Sequence, residues 1–245
     1  MKLTKSLMTC FLLLSYLTSQ QALADAGSPI PYRASYQAEY NFFLPVTGTA
    51  VRELKQDSNG AWLLTNTVKS NLLTIEESSR FDWVNGRPQP VSYRFEQKSI
   101  KNKQLWLDFD WQTLLATNTS DIKYPPYPID VQVLDPLTYQ LALRTDLVKQ
   151  KPEFSYRVAD KKRVDTYDFE VLGEEQLETP LGLLNTVKII RKRDADSTRE
   201  SVIWLAKDWD YLLVKIRQKE RGNTFFIVMQ EGELNGQPIT GLKSP

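Results

Sequence analysis

Few residues of this chain are equipped for chemistry. It has no histidine and a single cysteine, Cys10. Without an imidazole, and with its one thiol this close to the start, Cys–His and Ser–His–Asp catalysis and the usual zinc sites drop out. Neither a metal nor a cofactor is expected. Asp108 and Asp110 alternate with Leu107, Phe109 and Trp111, so both carboxylates take the same face of a strand. Strand rise sets them roughly 6.5–7 Å apart, a spacing that suits carboxylate pairs acting on glycosides. A solvated strand face carries acids in the same pattern and is the default reading. Ser120-Asp121-Ile122-Lys123 has the S-x-x-K spacing of Ser–Lys acyl enzymes. In those enzymes the serine opens a helix, whereas here a proline-rich loop follows and no S-D-N or K-T-G partner exists. No G-x-S-x-G, G-x-G-x-x-G or Walker A sequence occurs. No catalytic residue is assigned, and no enzymatic activity is expected.

Binding is the chemistry that remains. Arg191 and Arg193 lie at the end of one hairpin, and Lys215 and Arg217 share a face of another strand. Side by side these hairpins would make a basic stripe able to meet lipid headgroups or polyanionic surface sugar, or to dock an envelope protein. Asp194, Asp196, Glu200 and Glu220 dilute it, and charges that protect edge strands explain it equally well. With 31 basic and 30 acidic residues overall, bulk charge argues against a nucleic-acid partner. The aromatic residues are the other signal. Tyr36, Tyr40, Tyr93, Phe95, Phe109 and Trp111 take inward positions on alternating strands, and Tyr139 and Leu143 project from a helix. These eight are the candidates for touching an elongated hydrophobic or lipid-like ligand. The same side chains can instead fill the interior, and both readings stand.

The elements that position these residues are mostly strands. Tyr32, Ala34, Tyr36, Ala38, Tyr40 and Phe42 alternate with Arg33, Ser35, Gln37, Glu39 and Asn41, a half-buried strand whose inner face is aromatic and small by turns. Asn85-Gly86 predicts a tight hairpin between a strand ending at Val84 and one returning from Pro90. Further alternation, as in Tyr167/Phe169/Val171 and Phe225/Ile227/Met229, brings the total to about a dozen antiparallel strands. Tyr124-Pro125-Pro126-Tyr127-Pro128 cannot be a central strand and reads as a surface crossover.

One stretch, 135–150, predicts a helix. Asp135 caps it, Pro136 takes the first helical position and Pro152 stops it. Its apolar residues fall on two sides, Leu137, Leu141 and Val148 against Tyr139, Leu143 and Leu147, which predicts a helix sandwiched between layers. The expected fold is mainly β: a strongly curved antiparallel sheet or open barrel, lipocalin-like or lipoprotein-carrier-like in plan, with this helix covering it. A two-sheet sandwich is the alternative.

Residues 1–24 read as a secretory signal peptide. Lys2 and Lys5 precede an apolar run over 7–17, and Ala22-Leu23-Ala24 predicts cleavage before Asp25. The run is too short and too interrupted by Ser and Thr to anchor the chain, and it removes Cys10 with the leader. A single cysteine-free domain over 25–245 located in the periplasm is therefore expected, not an integral membrane protein.

Several short motifs in the second half point to a family. Leu177-Glu178-Thr179-Pro180-Leu181-Gly182 leads to Thr186-Val187-Lys188, then to Trp204-Leu205-Ala206 and Leu213-Val214-Lys215-Ile216. Earlier come Phe81-Asp82-Trp83 with Pro90, Phe109-Asp110-Trp111, and Asp135-Pro136-Leu137-Thr138-Tyr139. Their order, from about Tyr32 to Glu231, resembles the domain of unknown function 3108 family. The resemblance implies an exported, envelope-facing β protein of Gram-negative bacteria and carries over no catalytic residue. Taken together, the expectation is a non-enzymatic periplasmic protein that holds a hydrophobic ligand during envelope assembly, or, alternatively, a scaffold docking an envelope complex, with a carboxylate-based enzyme acting on surface polysaccharide as the third and least favoured reading.

Overall fold

A computed structural model describes residues 28–41, 45–150, 153–194 and 196–243. The proposed leader, Phe42 and Pro152 lie outside the described residues, as does the side chain of Tyr40. The first half of the chain is a meander of β1 (Tyr32–Asn41), β2 (Pro45–Gln56), β3 (Trp62–Ser70), β4 (Thr74–Val84), β5 (Arg87–Lys98), β6 (Lys103–Asp110), β7 (Leu115–Asn118) and the two-residue β8 (Tyr127–Pro128). Helix α1 (Thr138–Leu147) follows. The second half supplies β9 (Glu153–Ala159), β10 (Val164–Thr179), β11 (Gly182–Lys192), β12 (Arg199–Ala206), β13 (Leu212–Glu220), β14 (Asn223–Leu234) and the short β15 (Gln237–Pro238).

All of these strands belong to one antiparallel sheet. β14 returns to pair with β1, so the order runs from β8 down to β1, then from β14 down to β9, with β15 on β14. A single continuous sheet replaces the sandwich alternative. Bulges at Ser35/Tyr36, Arg80/Phe81, Val171/Gly173 and Trp204/Leu205 interrupt the ladders, and each adds local bend and twist. Asn85 and Gly86 both take positive φ, 52° and 75°, as the hairpin dipeptide predicts.

The ladder does not close. Its edges are β8 and β9, and Pro125, Pro126 and Pro128 deprive the first edge of donors. The crossover after β8 bridges the seam instead. Leu134 pairs in parallel with Val158, its N–H donating to the Arg157 carbonyl at 2.9 Å. Asn118 Nδ2 donates to the Lys161 carbonyl at 3.0 Å, and the Tyr127 hydroxyl donates to that of Asp160. Both edges are thereby protected from pairing with another chain.

The helix fills the space inside this curve. Its regular part is Thr138–Leu147, shorter than the 135–150 expectation, but Asp135 still caps it. Asp135 Oδ1 accepts from the N–H groups of Leu137 and Thr138, both at 2.8 Å, and Thr138 Oγ1 accepts from the Asp135 N–H at 2.9 Å, a reciprocal box. Seven of the helix's ten residues are buried, including Arg144 and Asp146. Side chains reach it from widely separated strands: Ser79 of β4 meets Asp135, Arg87 of β5 meets Asp146, and Tyr156 of β9 also meets Asp146. The two-sided apolar pattern thus reflects a helix wrapped by its own sheet, although Val148 is exposed. Fully buried Phe81, Leu64 and Leu107 on one half and Phe169 and Ile189 on the other complete one core, each contributing about 1.5–3 kcal/mol of burial. Among the described residues, no helix is long and apolar enough to cross a membrane.

Candidate functional site

Register brings two different rows onto the inner face of the sheet. Across β2 to β6 the partners are Arg52, Asn66, Glu77, Phe95 and Leu105. Across β14 to β11 they are Ile227, Ile216, Ile203 and Ile189. Only Ile189 of this isoleucine row is fully buried; the other three are half-buried against the core. Facing the row, α1 presents Tyr139, Gln140, Leu143 and Arg144. Between these helix residues and Ile203 and Ile216 of the row lies a narrow crevice of about 70 Å³, whose wall also includes Arg52 and Leu213.

The polar residues around this crevice are held by specific contacts. Arg52 Nε donates to the Tyr32 hydroxyl at 3.0 Å, and the Tyr36 hydroxyl donates to the Leu213 carbonyl at 3.0 Å. Burial lifts the Tyr36 hydroxyl far above its ordinary range. Glu77 accepts from the Tyr93 hydroxyl at 2.6 Å and from Asn66 Nδ2 at 3.2 Å. Burial pushes its carboxyl upward, and those two donors offset part of the rise. Arg144 Nε donates to the Asp210 carbonyl at 2.8 Å and its Nη2 pairs with the Asp210 carboxylate, while its guanidinium lies 5.0 Å from the Tyr32 ring. Arg144 Nη1 has no partner among the described residues.

The eight ligand candidates separate into groups. Tyr139 and Leu143 line the crevice. Tyr139 also stacks on Phe169 at 5.6 Å and meets Tyr167 edge-on at 5.4 Å, and burial pushes its hydroxyl up to about 12. Tyr36 and Tyr93 are buried, each with its hydroxyl committed. Phe95 is half-buried on the inner face beside Glu77. Phe109 is buried and stacks on Trp111, whose indole N–H donates to the Pro90 carbonyl at 2.7 Å; both fill space away from the crevice. Tyr40 pairs through its backbone with Val46 and Phe225.

The four basic candidates do not form one stripe. Period two along β11 puts Arg191 on the face of Val187 and Ile189, where its guanidinium lies 3.3 Å from the centre of the Tyr167 ring. Arg193 shares that face, and burial together with Arg191 and Arg199 lowers its pKa. Lys215 and Arg217 take the opposite face. Lys215 sits 5.1 Å from the Trp204 ring, and Arg217 pairs with Glu200 at 2.8 Å.

The two catalytic patterns weighed in the sequence are occupied otherwise. Asp108 pairs with Arg94 at 2.5 Å and accepts from Thr119. Asp110 accepts from the N–H groups of Thr113 and Gln112, which lower its pKa. The Ser120 hydroxyl bonds Asn118 at 2.7 Å, whereas Lys123 turns to Asp121.

The isoleucine row, half-buried Glu77 and buried Arg52, Arg144 and Asp146 escaped the sequence reading. Arg52 had a signal, since it stands between inward Ala50 and Leu54. The row had none, because it exists only through the register of four strands.

Comparison with known proteins agrees on the fold. A beta-barrel-like protein of domain of unknown function DUF1849 from Brucella abortus superposes with a TM-score of 0.59 at 10% identity, covering 84% of this chain and 98% of that one. A DUF1329 family protein from Desulfovibrio piger covers 89% of this chain and 90% of its own, at 11% identity, but its TM-score of 0.26 supports no argument. No curated protein matches by sequence. The family model for DUF3108, protein of unknown function, matches residues 32–230, and the chain belongs to that family.

Proposed function

We propose that this is an exported, non-catalytic binding protein of the periplasm that holds an elongated apolar molecule between α1 and the isoleucine row. The observation that carries the reading is the half-buried pair Ile203 and Ile216, which faces Tyr139, Leu143 and Arg144 of the helix across a crevice. At about 70 Å³ the crevice is well below the roughly 300–1,000 Å³ of ordinary ligand sites. Cargo therefore takes its place by displacing Tyr139 and widening the gap. Arg52 and Arg144 in the wall suit a cargo with an anionic end.

The test starts with protein purified from its own cells without detergent, examined by native mass spectrometry and organic extraction. A discrete added mass released as an amphiphile, and a chain beginning at Asp25, is the expected result. Fluorescent fatty-acyl probe should bind the stripped protein, and Ile216→Glu should abolish that binding while leaving the far-ultraviolet circular dichroism unchanged. A bare chain that also ignores the probe would sink the reading.

A further inference from the structure

One end of the sheet carries three apolar side chains that the core does not use. Leu72 is 62% exposed in the connection between β3 and β4, Ile100 is fully exposed in the connection between β5 and β6, and Ile122 is 96% exposed in the loop after β7. Register puts these three together. Thr74 pairs with Lys98, so the loops holding Leu72 and Ile100 are neighbours. Ser120 runs beside Gln104 and Trp106, bonding both, and so brings Ile122 to the same end.

The charges there are predominantly basic. Lys69, Lys98, Lys101, Lys103 and Lys123 flank the three tips, with Asp121 and Glu76 as the acids among them, Glu76 pairing with Lys98 at 3.6 Å. The adjoining turn between β9 and β10 adds Lys161, Lys162 and Arg163 against Asp160 and Asp165, the latter pairing with Arg163 at 2.6 Å. Asp121 is shared by Lys123 and Lys161, at 3.3 and 3.5 Å. Lys101 and Lys103 form no ion pair among the described residues. Tyr124 lies on this rim with the ammonium groups of Lys123 and Lys161 about its ring, at 5.1 and 4.8 Å. The rest of the same end is balanced: Arg193 and Arg199 face Asp194 and Asp196, and Arg221 follows Glu220.

We infer that this arc of the rim docks on an anionic lipid surface. Isolated apolar tips suit shallow insertion at the headgroup boundary, a tyrosine ring suits the interface itself, and unpaired lysines meet the negative lipid charge. A protein partner would more naturally bury one contiguous patch, whereas these three side chains stand on separate loops. The surface is independent of the cargo reading: the protein can dock with an empty crevice, and can hold cargo without docking.

Vesicle flotation of the protein purified from its own cells tests it. Binding is expected to vesicles of phosphatidylglycerol and phosphatidylethanolamine, to weaken as salt is raised, and to be absent with phosphatidylcholine alone. The combined substitution Leu72→Ser, Ile100→Ser and Ile122→Ser touches no buried side chain and should lower vesicle binding about tenfold or more, with fatty-acyl probe binding unchanged. Lys101→Glu with Lys103→Glu should do the same and flatten the salt dependence. No binding to the anionic vesicles at low salt, or binding that the triple substitution leaves intact, overturns the inference.

Discussion

Asp135, in the turn that opens the helix, accepts a hydrogen bond from the hydroxyl of Ser79 in β4, 56 positions earlier in the chain. Both residues are fully buried, so a carboxylate is enclosed where the helix meets the sheet. Burial raises its pKa from 3.8 to about 6, against the lowering effect of Ser79 and the Thr138 and Leu137 donors.

A raised carboxyl pKa means that the folded protein binds this proton more tightly than the unfolded chain does. The contribution to stability is therefore complete below about pH 4 and is lost as pH rises through 6, on the order of 3 kcal/mol for a shift of this size. Asp135→Asn keeps the acceptor oxygen that caps the helix and has no charge to bury. Its stability relative to the parent should rise between about pH 4 and pH 7 by that order. Urea denaturation across this range checks it, and parallel curves would show that Asp135 does not titrate there.

Arg144 and Asp210 form the ion pair that ties the helix to the turn before β13. The arginine side chain is buried and the aspartate is about one-third exposed, so solvent screens part of their attraction. Asp210→Ala leaves a buried guanidinium with only the backbone carbonyl. The expected cost is about 1–3 kcal/mol, more than for an exposed pair such as Lys98–Glu76. A double-mutant cycle with Arg144→Met measures the coupling; a value near zero would assign the loss to packing alone.

Tyr139 fastens the helix to the aromatic group of Tyr156, Tyr167 and Phe169. Tyr139→Ala should cost about 2–4 kcal/mol by opening a cavity there. If displacement of this ring is what admits cargo, the same substitution should tighten fatty-acyl probe binding despite the lower stability. Denaturation and probe titration on one preparation separate the two effects.

The C-terminal segment closes the other end of the sheet through a close backbone approach. A Cβ on Gly241 would stand 2.6 Å from the Leu183 carbonyl oxygen and 2.7 Å from the Gly182 carbonyl carbon. Gly241→Ala should therefore push this segment off, exposing buried Ile239, at a cost of about 1–3 kcal/mol. Hydrogen exchange should quicken at Ile239 and Leu242, whose N–H groups bond Gly232 and Leu183 at 2.8 and 2.9 Å, while α1 keeps its protection.

Periodicity and turn chemistry are local properties, and they were legible in the sequence. Alternation in 32–41 and 225–229 gave the strands, Asn85-Gly86 the hairpin, Asp135 the helix cap and the prolines of 125–128 the exclusion of a central strand there. The family motifs were legible for the same reason, being short runs read in order. What depends on which residues face one another across strands was not. Only register assembled Ile189, Ile203, Ile216 and Ile227 into a row, turned Arg191 inward onto Tyr167, and set Leu72, Ile100 and Ile122 at one end. Burial of Arg144 and Asp146 inside a helix likewise required partners 66 and 59 positions away. Contacts of that separation are chosen by the closing of the sheet around its helix, and no window of the chain contains both partners.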